Sequence, residues 1–186
     1  MELPVYLIGY MGAGKTTAGR LLADKLGWHF VDLDDAFYQI HGYTTADYIR
    51  TFGIDDFRKK EKYVVEDLAE LPYEHVIYAT GGGYPCWEDN MDCLLELGTS
   101  IYLRWSPEHL AKRLSLTDLS ERPVLQGQSE DELLRFISRQ LAERDPIYRR
   151  AHHTLEINEC DEESDERIAC RLYELINATR KNRHEQ

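Results

Sequence analysis

Residues 4–17 read Pro4-Val5-Tyr6-Leu7-Ile8-Gly9-Tyr10-Met11-Gly12-Ala13-Gly14-Lys15-Thr16-Thr17. The run from Pro4 to Ile8 has the apolar character of a buried strand. Gly9 to Thr16 then match G-x-x-x-x-G-K-[ST], a phosphate-binding loop. Each position has a physical task. Glycines let the backbone curl so that successive N–H groups converge on an anion. Those groups, together with the positive end of the following helix, hold triphosphate oxygens. Gly12, Ala13, Gly14, Lys15, Thr16 and Thr17 are the candidate cradle. Within it Lys15 reaches the β- and γ-phosphates, and the Thr16 hydroxyl ligates Mg²⁺. An ordinary glycine-rich turn is the bland alternative. Against it, Ala18, Leu21, Leu22 and Leu26 share one helical face and Gly27 supplies a stop. The strand–loop–helix context that the motif requires is therefore present.

Working outward, strand-like and helix-like segments alternate. The patterns predict strands at 4–9, 29–33, 75–80, 100–105 and 153–158. They predict helices at 15–26, 34–41, 44–51, 55–70, 88–96, 107–115, 129–144 and 164–180. Ser106-Pro107 sets a cap before a proline at the first helical position, and Ser129 with Glu132 forms a capping box. The alternation predicts an α/β fold with a parallel sheet covered on both faces. No repeat and no interdomain linker interrupts it, so a single domain is expected. Residues 116–128 break the pattern, being polar and weakly periodic, as expected of a functional lid or a disordered segment. The polar tail 179–186 is expected to fray.

The chain has 186 residues, 42% hydrophobic and 30% charged, the balance of a soluble globular protein. A formal net charge of −12 argues against general binding to nucleic acid or an acidic membrane. It does not argue against a nucleotide substrate, which local basic groups would hold. No apolar run approaches the roughly 20 residues of a membrane span, and the chain enters its first strand with no signal peptide in view. Cys86, Cys93, Cys160 and Cys170 show no zinc-like pairing and read as thiols of a reducing cytoplasm. The histidines make no metal-binding motif; the His152-His153 pair reads as a surface or strand-edge feature.

Three further clusters bear on the phosphate acceptor. The first is Asp32-Leu33-Asp34-Asp35, at the end of the second predicted strand. Strand alternation would put Asp32 and Asp34 on one side, facing the crevice at the sheet's carboxyl edge. One carboxylate could organise the water shell of Mg²⁺; the other could accept a hydrogen bond or proton from a hydroxyl. Helix capping by Asp34 or Asp35 is the alternative. The second cluster is Arg58 with Glu61, i,i+3 neighbours on a helix. It is either a solvated charged face or an arginine held by Glu61 and aimed at a substrate carboxylate. The third is Gly81-Gly82-Gly83, directly after an apolar strand. A triple glycine is entropically costly, which suggests close backbone approach by a ligand rather than a loose turn.

Taken in order, these motifs resemble the shikimate kinase family. The matching residues are Leu7 to Thr17, Asp32-Leu33-Asp34, Phe57-Arg58 with Glu61, Gly81-Gly82-Gly83, Arg122-Pro123, and Glu143-Arg144-Asp145-Pro146-Ile147-Tyr148. They run from about residue 5 to residue 158. The resemblance implies a three-layer P-loop kinase fold: a five-stranded parallel sheet of order 2-3-1-4-5, helices on both faces, and a mobile lid at about 114–128 in a domain spanning 1–178. It implies transfer of the γ-phosphoryl of ATP, with Mg²⁺, to the 3-hydroxyl of shikimate, in a cytoplasmic monomer. Lys15, Asp34 and Arg122 would be catalytic, Arg122 also touching the nucleotide. Thr16 would hold the metal directly and Asp32 through water. Asp34, Arg58, Gly81, Gly82, Gly83 and Arg144 would bind shikimate.

The chain departs from the family on the nucleotide side. The stretch between Arg113, the position of an adenine-stacking arginine, and Arg122 is about two residues longer than the family pattern. The segment from Asn158 to Asp165 is acidic where the family shows basic residues and a proline. Adenine recognition is therefore not carried over to that segment. The alternatives are a related P-loop small-molecule kinase, such as a gluconate or nucleoside-monophosphate kinase, and a non-catalytic nucleotide-binding module.

Overall fold

Four buried residues, Val5–Ile8, form β1 at the centre of the sheet. A computed structural model describes residues 3–71, 74–116, 129–157 and 164–184. β1 pairs in parallel with β3 (Val76–Ala79) on one side and β4 (Thr99–Trp105) on the other. β2 (His29–Asp32) joins β3, and β5 (His153–Ile157) joins β4, giving the order β2-β3-β1-β4-β5. The expected order is thus observed. Every residue of β1 and β3 is buried, as required of parallel strands covered on both faces.

The helices are α1 (Lys15–Leu26), α2 (Leu33–His41), α3 (Thr45–Phe52), α4 (Ile54–Ala69), α5 (Asn90–Leu97), α6 (Pro107–Ser115), α7 (Glu130–Tyr148) and α8 (Asp165–His184). α1 packs against α8, and α6 against α7. The main core joins the sheet to Leu22, Leu110, Ile137 and Leu172. A smaller core of Phe37, Tyr48, Phe57 and Val64 ties α2, α3 and α4 together. It fixes the elements that carry Asp34 and Arg58. The Ser106 and Ser129 caps form as expected, the latter with its complete capping box.

Most elements fall within one or two residues of the expected bounds; three of the differences have a visible physical cause. The second strand stops at Asp32 rather than residue 33, because the Asp32 carboxylate accepts from the Asp34 N–H at 2.9 Å and starts α2. Asp34 therefore lies in a helix's first turn, not on a strand, and the capping residue is Asp32 rather than Asp34 or Asp35. α7 continues to Tyr148 through Pro146, instead of ending at residue 144. An interior proline costs about 3 kcal/mol. Here Asp145 accepts from Tyr102 and Arg104, pinning that last turn to β4. α8 runs on to His184, past the expected tail boundary at 179; Arg180 lies over the Trp28 ring at 5.6 Å. Among the described residues, no helix is long and apolar enough to cross a membrane.

Candidate active site

The site gathers at the carboxyl ends of β1, β2 and β3, where open α/β sheets bind ligands. After β1 the loop curls through Gly12 and Gly14, at φ +79° and +87°. Both values favour glycine, and space does too: a Cβ on Gly12 would stand 2.7 Å from Leu114 Cδ2. The indole N–H of Trp105 donates to the Ala13 carbonyl at 3.0 Å and fixes the loop against β4. Lys15 is buried at the start of α1. Its ammonium donates to the carbonyls of Gly9 and Tyr10, each at 2.9 Å. Thr16 and Thr17 follow, exposed on the helix's first turn. The Thr16 hydroxyl donates to Asp32 Oδ2 at 2.6 Å. Two oxygen donors of hard-cation character thus sit side by side at the mouth of the loop.

Asp34 opens onto the same crevice. Solvent reaches it, yet the crevice walls surround it. That crowding, and then the neighbouring charge of Asp32, pushes its carboxyl up to about 6, against the pull of Lys15 and Arg58. Arg58 and Glu61, on α4, form a short ion pair, with the glutamate side chain 3% exposed. Burial pushes Glu61 up to about 7 despite the guanidinium beside it. Its Oε1 meets no hydrogen-bond donor among the described residues. The charged-face alternative for Arg58 and Glu61 is thereby set aside.

The glycine run explains itself residue by residue. A Cβ on Gly81 would stand 2.6 Å from Glu61 Oε1. One on Gly82 would stand 3.1 Å from the Met11 backbone nitrogen in the phosphate loop, and one on Gly83 would overlap the Arg58 guanidinium. The close approach expected there is made by the protein's own groups, which hold donor loop, glycine run and α4 in one packed wall. Behind it, a 3₁₀ turn over Tyr84–Cys86 is held by Asn90 Nδ2 donating to the Tyr84 carbonyl.

α7 packs against this wall from another side. Arg144 lies over the Tyr10 ring at 5.6 Å, and the Tyr10 hydroxyl donates to Gln140 Oε1 at 2.7 Å. The Tyr148 hydroxyl donates to the Gly82 carbonyl. Gln140, Arg144 and Tyr148 are spaced four apart and so share one helical face. Arg58 lies against Gly83, and Arg144 lies over Tyr10 on the helix that Tyr148 ties to Gly82, so both arginines flank the same wall. Two guanidiniums, one carboxylate and a phosphate loop make a site for phosphoryl transfer to a hydroxyl on a small carboxylate-bearing molecule.

The shikimate kinase family model matches residues 11–177. The chain belongs to the shikimate kinase family. A shikimate kinase from Parabacteroides distasonis is 43% identical over 164 residues, covering 87% of this chain and 91% of its own. The crystal structure of shikimate kinase from Bacteroides thetaiotaomicron superposes with a TM-score of 0.82 at 34% identity, covering 94% of this chain and 98% of that one. Shikimate kinase from Acinetobacter baumannii, solved in complex with shikimate, gives a TM-score of 0.82 at 33% identity over 96% of this chain and 95% of its own.

Of the residues singled out from sequence, the described structure brings together Gly12 to Thr17, Asp32, Asp34, Arg58, Gly81 to Gly83 and Arg144. Arg122 lies outside the described residues, as does most of the expected lid. Sequence reasoning missed Tyr10, Gln140 and the role of Tyr148. It named Arg113 as the position of an adenine-stacking arginine but missed its pairing; Arg113 lies over the Trp105 ring at 5.3 Å and pairs with Asp165 at the start of α8. A Cβ on Gly14 would stand 2.6 Å from Asp165 Oδ1 and 3.3 Å from Arg113 Nη2. The chain therefore carries an ion pair against the edge of its phosphate loop. The acidic character of the segment before α8 was the one available signal.

Proposed function

We infer that the chain is a shikimate kinase: it transfers the γ-phosphoryl of ATP to the 3-hydroxyl of shikimate, giving shikimate 3-phosphate and ADP. The observation that carries the reading is the convergence of Lys15, Asp34, Arg58 and Arg144 on one crevice beside the phosphate loop. Arg58 and Arg144 clamp the carboxylate; Gly81, Gly82 and Gly83 form the wall beside the ring. Asp34 orients the 3-hydroxyl. As the new O–P bond forms and the bond from Pγ to the β,γ-bridging oxygen breaks, Asp34 takes the hydroxyl proton. The loose transition state needs little proton removal early, so positioning and charge stabilisation dominate. Gly12 to Thr17 hold the phosphates, and Lys15 neutralises the transferring group.

The donors present suit Mg²⁺. The Thr16 hydroxyl and Asp32 carboxylate are adjacent oxygens at the mouth of the phosphate loop. This fits a cation held largely by phosphates and water, with Thr16 as direct ligand and Asp32 acting through water. Such a cation would neutralise phosphate charge during transfer. Arg122 is the residue proposed to stabilise developing charge from a lid at 114–128, whose closure would also exclude water. The remaining parts of the proposal are a single working domain over 1–178, a monomer, and a cytoplasmic setting without nucleic-acid partners, in keeping with the net charge of −12.

The test is ADP release from Mg·ATP with and without shikimate, with gluconate as control. Shikimate-dependent release with a kcat of order 1–100 s⁻¹ is expected for such a kinase. Gluconate turnover with no response to shikimate would replace the acceptor. Silence with both, in a folded protein that binds ATP, would leave a nucleotide-binding module.

A further inference from the structure

Tyr10 occupies an unconstrained position of the phosphate-loop motif, yet it is among the most enclosed side chains of the molecule, 1% exposed. Its two halves serve different sites. The main-chain carbonyl accepts from Lys15 Nζ at 2.9 Å and from the Ala13 N–H at 3.2 Å, which makes it part of the donor loop. The ring lies beneath the Arg144 guanidinium, and the hydroxyl is tied to Gln140, one turn earlier on α7. An apolar side chain would fill a core position equally well. A phenol whose hydroxyl and ring face are both engaged by the helix that presents Arg144 holds that arginine in place.

We propose that Tyr10 is a positioning residue that couples the nucleotide and acceptor subsites. The inference rests on the assignment of Arg144 to the acceptor carboxylate. Phosphates that draw the Lys15 ammonium toward them loosen its hold on the Tyr10 carbonyl, and the loop peptide that carries the ring relaxes. The ring moves with that peptide, and the guanidinium stacked on it moves with the ring. Gly82 transmits the same displacement by a second contact, since it abuts Met11 of the loop and its carbonyl accepts from Tyr148 on the same face of α7. Linkage makes the effect reciprocal: nucleotide tightens acceptor binding by the factor with which acceptor tightens nucleotide binding.

The experiment is calorimetric titration of shikimate into the full chain, with and without saturating Mg²⁺ and a non-hydrolysable ATP analogue. In the wild type the analogue should lower the shikimate Kd at least about fivefold, the lower end of typical couplings. Tyr10→Leu, which removes ring face and hydroxyl, should lower that ratio to the part that Gly82 carries. Tyr10→Phe keeps the ring and guards against a folding artefact; it should retain an intermediate ratio. Gln140→Leu removes the same hydrogen bond, so the double variant with Tyr10→Phe should lose no more than either alone. A merely structural role would shift melting temperature and both affinities but leave the ratio intact. A wild-type ratio of one, or an unchanged ratio in Tyr10→Leu, overturns the proposal while leaving shikimate binding and the functional reading standing. Absence of shikimate binding in the wild type would instead overturn the functional reading and this proposal with it.

Discussion

Replacing Gly83 by alanine should weaken acceptor binding by displacing Arg58 from the carboxylate it is assigned to hold. Gly83 has φ −89° and ψ −13°, a conformation any residue adopts, so the backbone tolerates the change. The new methyl does not fit. It would stand 2.9 Å from Arg58 Cζ and overlap one terminal nitrogen of the guanidinium. Carbon atoms in contact sit about 3.5–4.0 Å apart, so the guanidinium must retreat by at least roughly 0.6 Å. Arg58 is 15% exposed and its stem is flexible, so the retreat costs the fold little. It costs the site more, because a binding group must be held within about 0.5 Å of its productive position. Loss of a charge-assisted hydrogen bond to the substrate carboxylate is worth about 1.5–3 kcal/mol, or roughly 10- to 150-fold in affinity. The shikimate KM should rise by about that factor, with ATP KM and melting temperature near those of the wild type. Gly82→Ala is the contrast: its methyl meets the loop backbone at Met11, so it should raise the ATP KM as well. Steady-state kinetics with each substrate varied, beside a thermal melt, read all of this. A shikimate KM within twofold of the wild type in a folded Gly83→Ala protein would refute the assignment of Arg58 to the acceptor carboxylate.

Three other outcomes are expected. Lys15→Ala should lower kcat by at least about 10²-fold, the usual loss for a preorganised charge-stabilising donor, with an unchanged circular dichroism spectrum; near-normal turnover would remove Lys15 from the transition state. Asp34 must be ionised to accept the hydroxyl proton, and its carboxyl is raised to about 6 by crowding and by Asp32, so kcat/KM for shikimate should fall as pH drops through about 6. A profile flat from pH 5 to about 7.5 would count against Asp34 as the base. Glu61 is raised from 4.5 to about 7 by burial, so the folded state prefers the neutral acid; the stability it contributes is complete below about 4.5 and is lost as pH rises through about 7. Melting temperatures from pH 5 to 8 should therefore decline more for the wild type than for Glu61→Gln, and equal slopes would contradict the burial argument.

The sheet was legible in the sequence because its central strands are buried on both faces and read as apolar runs, Val5 to Ile8 and Val76 to Ala79. The phosphate loop was legible for a related reason. Its function resides in backbone N–H groups and a lysine contiguous in sequence, so a short motif specifies it. Errors arose where a side chain decides a backbone event. Asp32 and Asp34 looked like alternate residues of one strand, but a single carboxylate-to-amide bond turns the chain into a helix between them. The helix expected over 129–144 runs on through Pro146. The turn survives because Asp145 is anchored by Tyr102 and Arg104, more than 40 positions away in sequence.

The same distinction explains the candidate site. Residue types suited to a carboxylate and a hydroxyl stood out as Arg58 and Asp34, and Arg144 came with the family resemblance. What holds them was hidden, because each support comes from another element. Gly83 leaves room for a guanidinium on α4, Gly82 presses on the phosphate loop, and Tyr10 places its ring under an arginine from α7. A motif leaves position 10 free because phosphate binding uses only its backbone. The tyrosine there answers to the acceptor wall, so the position is unconstrained by one site and constrained by the other. Sequence comparison restricted to the phosphate loop would treat Tyr10 as filler, whereas the packing around Arg144 makes its ring and hydroxyl the features that matter.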